Sequence, residues 1–103
     1  MRIISEARLR EFWLAARGDE RIAREKAMKD WRSVVRRAEW HDFSDVRQTF
    51  NHADVFKNCT IFDVGGNKYR VIAKIAYRAQ IVYIRSVMTH KEYDAKAWCG
   101  DCK

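Results

Sequence analysis

The run from Thr60 to Asp94 (TIFDVGGNKYRVIAKIAYRAQIVYIRSVMTHKEYD) constrains the fold of this chain more than any other stretch. It holds three strand-like segments rich in Val, Ile, Tyr and Phe, punctuated by turn residues. Gly65-Gly66-Asn67 supplies residues that tolerate positive φ, which a tight hairpin connection needs. Arg78-Ala79 is a weaker turn signal between two segments of similar length. In the second segment Tyr69, Val71, Ala73, Ile75 and Tyr77 alternate with Lys68, Arg70, Ile72 and Lys74. In the third, Val82, Ile84, Ser86 and Met88 alternate with Ile81, Tyr83, Arg85 and Val87. Successive strand side chains point to opposite faces, so both patterns predict a sheet with one face on a core and one face open. The open face would carry Lys68, Arg70, Lys74 and Arg85 beside Thr89-His90. That is a basic, concave surface suited to a phosphate-bearing partner.

Upstream, Arg2-Ile3-Ile4-Ser5 reads as an edge or joining strand, with Ser5 as N-cap of a helix from Glu6. Leu9, Phe12, Trp13 and Ala16 fall on one helical face, and Gly18 is placed to end that helix. Asp19 then caps a longer helix to about Ala38, whose buried stripe runs through Ala27 or Met28, Trp31, Val34 or Val35, and Ala38. Trp13 and Trp31 lie inside apolar stripes and read as core; Trp40 is harder to place. Ser44 is expected to cap a short helix through Phe50, and residues 51–58 read as a loop. The order strand, helix, helix, short helix, three strands predicts an α+β fold. Its N-terminal helices would pack on one face of a small, mostly antiparallel, twisted sheet within one domain, residues 1–103.

The 21 Lys and Arg outnumber 14 Asp and Glu for a net charge of +7, which favours an anionic partner. No apolar run reaches the ~18 residues of a membrane span, and no signal-peptide pattern is present, so a cytoplasmic protein without a membrane partner is expected. Cys59, Cys99 and Cys102 form no disulfide framework on this reading. Trp98-Cys99-Gly100-Asp101-Cys102 resembles the redox motif of thioredoxins, but only Lys103 follows, leaving no room for the helix that lowers a thiol pKa. An exposed, accidental pair is expected there. Neither a metal site nor a cofactor is indicated.

Phe62-Asp63-Val64-Gly65-Gly66-Asn67-Lys68-Tyr69-Arg70, with Ile81-Val82-Tyr83-Ile84-Arg85 and Met88-Thr89-His90-Lys91-Glu92-Tyr93-Asp94, resembles the HigB toxin family of the RelE/ParE superfamily. Arg2-Ile3-Ile4, Leu9-Arg10-Glu11-Phe12-Trp13 and Trp31 also fit, and the tail after Asp94 departs from the family pattern. The resemblance implies a RelE-like fold and a toxin of a type II toxin–antitoxin pair. It further implies an endoribonuclease (mRNA interferase) acting on translated mRNA at the ribosome, silenced by a HigA-like DNA-binding antitoxin.

Metal-free RNA cleavage needs a base for the 2′-OH, cations for the developing phosphorane and an acid for the departing 5′-oxygen. Arg70 and Arg85 suit the second task because a guanidinium grips phosphate bidentately, and the resemblance places nuclease arginines at these strand positions. His90 suits proton transfer near neutral pH. One helical turn would bring Tyr93 and Asp94 alongside it, and the resemblance matches Tyr93 to a C-terminal tyrosine of RelE relatives. His90 and Tyr93 share the acid–base and leaving-group roles, with the division open. Lys68, Lys74 and Lys91 are candidate RNA contacts. The alternatives are plain surface charge for the arginines, packing for Tyr93 and a helix start for His90. At the level of function they are a ParE-like toxin that acts on DNA gyrase and cuts nothing, or a non-catalytic RNA- or ribosome-binding module.

Overall fold

The computed structural model describes residues 1–103. In chain order the elements are β1 (Arg2–Ile4), α1 (Ala7–Leu14), α2 (Gly18–Arg37), α3 (Phe43–Thr49) and β2 (Asp54–Phe56). There follow β3 (Cys59–Val64), β4 (Tyr69–Ala76), β5 (Ile81–Thr89), α4 (His90–Asp94) and a closing 3₁₀ turn, Ala97–Asp101. One sheet of order β1-β5-β4-β3-β2 joins the strands. All its pairs are antiparallel except β1 with β5, which is parallel. This is the expected α+β arrangement, with the β1 strand at one edge.

The helices lie on the face that the alternation marks as apolar. Leu9, Phe12 and Trp13 of α1 and Ala27, Met28, Trp31 and Val35 of α2 bury against Phe62, Val64, Tyr69, Val71, Ala73, Val82 and Ile84. Leu9, Met28, Val35, Val71 and Val82 are wholly excluded from water, each worth about 1.5–3 kcal/mol by area removed from solvent. Trp40 also belongs to this core. It stacks on Phe62 at 6.0 Å and donates its Nε1–H to Thr49 Oγ1 at 3.0 Å.

Several boundaries differ from the expectation. Glu6, not Ser5, precedes α1, which ends at Leu14 instead of reaching Gly18. Gly18 does take the left-handed conformation (φ +59°), but it opens α2, and Asp19 stands inside the first turn instead of capping it. The Asp42 side chain, not Ser44, caps α3 by accepting from Asp45 N–H at 3.0 Å. The loop expected over 51–58 contains β2, whose pairing with β3 adds an edge strand. Its short length and exposed Val55 give it too little apolar periodicity to stand out in sequence.

The larger correction concerns the face expected to be open. Ile72 and Met88 on that side are buried in a second cluster with Cys59, Ile61, Trp98 and Cys102. The cover is the closing turn, which folds back over the sheet. It is held there by a Cys59–Cys102 disulfide between residues 43 apart in sequence, leaving Cys99 free. Cys102 is therefore neither exposed nor accidental, and a 3₁₀ turn does form over Ala97–Asp101. A bulge also breaks the β5 alternation. Ile72 pairs with Ser86 but Ala73 with Ile84, so Arg85 is the extra residue and the face assignment inverts beyond it. Met88 therefore joins the outer cluster and Val87 packs against the helix-side core, the reverse of the simple period-2 reading.

Candidate active site

The hairpin between β3 and β4 determines where Arg70 goes. Gly65, Gly66 and Asn67 all adopt positive φ (67°, 64° and 76°). A Cβ on Gly65 would meet Tyr69 Cδ2 at 2.8 Å, so that position admits only glycine. The tight connection pairs Asp63 directly with Arg70. Arg70 Nε lies 2.9 Å from Asp63 Oδ1. Its Nη1 donates to the Asn67 and Tyr69 carbonyl oxygens at 3.2 and 3.1 Å, and its Nη2 donates to Asn67 Oδ1 at 2.7 Å. The residue is only 6% exposed. Four of the five guanidinium N–H groups are thus committed within the protein. Arg70 does not stand on an open face ready to grip phosphate on two sides; it is a buried, neutralised strut.

What Arg70 supports is Tyr93. The guanidinium carbon lies 4.9 Å from the Tyr93 ring centroid, and Trp98 stacks on the same ring at 5.0 Å with an interplanar angle of 8°. Trp98 Nε1–H donates to the Tyr93 carbonyl at 2.9 Å, fixing the end of α4 as well as its aromatic side chain. Burial pushes the Tyr93 hydroxyl above a phenol's ordinary value, and the Arg70 charge pulls against that shift. Near neutral pH the group is therefore a hydroxyl that donates, not a phenolate that accepts.

The helix carrying Tyr93 begins at a capping box. Thr89 Oγ1 accepts from Glu92 N–H at 3.2 Å, while the Glu92 carboxylate accepts from Thr89 N–H at 3.0 Å. The Thr-x-x-Glu spacing of Thr89-His90-Lys91-Glu92 encodes this start directly. The single turn that follows brings Asp94 Oδ2 to 2.9 Å from His90 Nδ1, as the i,i+4 spacing implies. His90 N–H also donates to the Lys68 carbonyl at 2.9 Å, extending the β4–β5 ladder by one rung. The exposed Lys68 and Lys91 consequently flank His90 on either side of that junction.

The expected site residues thus divide into two groups. Lys68, Arg70, His90, Lys91 and Tyr93 gather at one end of the sheet around the α4 junction. Lys74 and Arg85 lie farther along the sheet, Arg85 at the bulge itself and Lys74 beyond it, paired to Tyr83. At ~3.3 Å per residue, Arg85 is roughly 10 Å along β5 from Met88, the partner of Arg70. Arg85 is exposed and makes no ion pair, unlike Arg70. Missing from the sequence reading were Asp63 and Asn67, which hold Arg70, and Trp98, which holds Tyr93. The first two were accessible in principle, since a four-residue connection from Val64 to Tyr69 sets Asp63 opposite Arg70. Nothing in the sequence pointed Trp98 back toward Tyr93.

Residues 24–96 match the family model of the HigB toxin, described as the RelE-like toxic component of a toxin–antitoxin system. The chain belongs to the HigB toxin family. The matched segment contains the whole hairpin, the bulge and α4. Similar proteins include the mRNA interferase toxin HigB of Escherichia coli K12 and the proteins named mRNA interferase HigB of Escherichia coli O157:H7 and Shigella flexneri. Each is 59% identical over 34 residues, a stretch covering 33% of this chain and 33% of the relative. The similarity to these relatives therefore spans a third of their length, while the family match runs through Asp63, Arg70, His90 and Tyr93 and ends before Trp98.

No group of three or more His, Cys, Asp or Glu side chains is arranged to hold a metal ion. No helix is long and apolar enough to cross a membrane.

Proposed function

We propose that this HigB-family chain is a metal-independent endoribonuclease that cuts mRNA during translation, working in the cytoplasm and held inactive by a HigA-like DNA-binding antitoxin. The observation that carries the reading is the α4 junction, where one helical turn carries an imidazole oriented by a carboxylate and a protonated phenol, with lysines on both flanks. His90, held by Asp94, takes the proton of a ribose 2′-OH as its oxygen attacks the adjacent phosphorus. The P–O5′ bond breaks, leaving a 2′,3′-cyclic phosphate on one fragment. Tyr93 gives its proton to the departing 5′-oxygen, an alkoxide far more basic than a phenolate. Lys68 and Lys91 offset the charge that builds on the phosphorane, and Arg85 with Lys74 holds the neighbouring phosphates through its uncommitted guanidinium. Arg70 acts through Tyr93, as the strut that fixes the ring.

The names of the relatives support the substrate class, and the net positive charge supports a polyanionic one. The test is induction of the chain in growing cells, followed by mapping of transcript ends and a translating-ribosome cleavage assay in vitro. Translation arrest with new 5′-hydroxyl ends inside coding sequences is expected. Intact transcripts together with inhibited gyrase would instead mark the ParE-like activity, and arrest without cleavage would mark a ribosome-binding module.

A further inference from the structure

Of the four Trp, four Tyr and five Phe in the chain, only Tyr83 is exposed, with 39% of its surface open to water. It stacks on no other ring and belongs to neither apolar cluster. We propose that Tyr83 is a stacking platform for one base of the substrate strand, set among cations that hold the flanking phosphates. The proposal rests on the RNA-cleaving reading and adds to it a binding residue remote from the α4 junction.

An exposed tyrosine on a strand is ordinary by itself; what singles this one out is its setting. On β5 the alternation turns Val82 and Ile84 into the helix-side core and leaves Tyr83 on the outer face. Register places Lys74 of β4 directly opposite it, within side-chain reach, and Ile4 of β1 on its other side. Arg2, diagonally adjacent through its pairing with Ile81, and Arg85, at the bulge just beyond, complete the surround. None of these three cations is in an ion pair. β1, β4 and β5 contain no Asp or Glu, so no carboxylate on these strands offsets them. The cover formed by the closing turn reaches Ile72 and Met88 but leaves Tyr83 in water.

Single-stranded RNA is held by cations that track its backbone together with aromatic faces that take its bases, and stacking tolerates any sequence because every base has a π face. The chemistry here therefore specifies a strand and not a particular base. An acidic protein segment would answer the cations and make no use of the ring. The location fits as well. From Tyr83 to Thr89, the N-cap of α4, is roughly 20 Å along β5 at ~3.3 Å per residue. A strand with its scissile phosphate at His90 thus reaches Tyr83 a few nucleotides away.

The experiment measures, by fluorescence anisotropy at low salt, binding of the oxidised full chain to labelled 2′-O-methyl strands of about 12 nucleotides, within the usual range of single-strand sites. These strands lack the 2′-OH that cleavage needs, and an abasic strand of equal length carries the same phosphates without bases. The wild type is expected to hold the base-bearing strand about 10-fold more tightly than the abasic one, and Tyr83→Ala to remove most of that advantage while leaving abasic affinity unchanged. Tyr83→Trp is expected to keep it. Arg2→Ala and Lys74→Ala are each expected to weaken both strands and to lower the salt dependence by about one phosphate. Shortening the strand from one end, but not from the other, is expected to erase the difference between wild type and Tyr83→Ala, because the platform stands to one side of the junction. A Tyr83→Ala loss shared equally by both strands would make Tyr83 a support of the sheet and overturn the proposal. Equal affinity of the wild type for poly-glutamate and for the base-bearing strand would make the face a protein-docking surface and overturn it too. Base-dependent binding through Tyr83 in a protein that cuts no RNA would keep the platform and sink the nuclease. Cleavage by a Tyr83→Ala protein that binds both strands as the wild type does would do the reverse.

Discussion

Reduction of the Cys59–Cys102 bridge is expected to lower the stability of this domain by about 4 kcal/mol. The bridge closes a loop of sequence separation 43, from the start of β3 to the end of the closing turn. In the chain-entropy description a cross-link of that span removes about 13 cal/mol/K from the unfolded ensemble, which at 25 °C is the stated free energy. The perturbation is clean because reduction leaves both sulfurs in place, and these are buried among Ile61, Ile72, Met88 and Trp98. No cavity is opened and no side chain is lost. For a domain of this size the change corresponds to a fall in Tm of roughly 15–30 °C. The assay is urea unfolding of Cys99→Ser protein, oxidised and reduced, followed by far-ultraviolet circular dichroism. Removing Cys99 prevents exchange with the bridge. Tryptic cleavage at Lys96 of the folded protein reports separately on whether the closing turn stays docked. A loss below about 1 kcal/mol with the turn still protected would refute the reasoning. It would mean that the unfolded chain already holds its two ends together, or that the native bridge is offset by strain elsewhere.

Further outcomes follow from the site. Asp63→Asn leaves the buried Arg70 charge without its carboxylate and is expected to destabilise the fold by up to about 3 kcal/mol, reduced somewhat because Asp63 keeps 28% exposure; denaturant midpoints check this, and an unchanged midpoint would show that Arg70 is not electrostatically anchored. Arg85→Ala removes a cation assigned to a neighbouring phosphate and is expected to weaken RNA binding and lower its salt dependence by about one phosphate contact, with the single-turnover rate at saturation nearly unchanged; a fall in that rate of about 10²–10³-fold would instead place Arg85 at the reacting phosphate. Tyr93→Phe keeps the Arg70 and Trp98 contacts and is expected to fold normally but cut slowly; full activity would make Tyr93 a packing residue. Because burial raises the Tyr93 hydroxyl above its ordinary value of 10.0, its protonated form is fully present below pH 10 and is lost only as pH rises through the elevated value. No alkaline loss of rate traceable to Tyr93 is therefore expected between pH 7 and 9. His90→Gln is expected to slow single-turnover cleavage by about 10²–10⁴-fold, the usual cost of losing a general base; matching rates in the two proteins would remove His90 from proton transfer.

Much of the architecture was legible along the chain because its signals are local. The period-3.6 stripes of α1 and α2, the Gly65-Gly66-Asn67 turn and the Thr89–Glu92 capping box each depend on residues within a few positions of one another. So does the His90–Asp94 contact, which one helical turn dictates. The resemblance in the hairpin and the THxxYD block led to the family that the match over residues 24–96 shows.

Tertiary structure decided the rest, and it changed the meaning of several residues. Alternation put Arg70 on the face away from the helices, and so it is; but whether such a face meets water depends on what else packs there. Here a tail of ten residues or so, unremarkable in hydropathy, folds over it through Trp98 and a bond between Cys59 and Cys102. Tyr93, braced by that cover through Trp98, lies over Arg70, whose guanidinium is tied to Asp63 and Asn67, so a presumed phosphate grip becomes a support for Tyr93, and an aromatic hollow forms beside α4. One inserted residue in β5 likewise inverts the faces of Val87 and Met88, which no period-2 count can anticipate. Periodicity records how a strand presents its side chains; which of those surfaces becomes a site is settled by contacts between segments tens of residues apart.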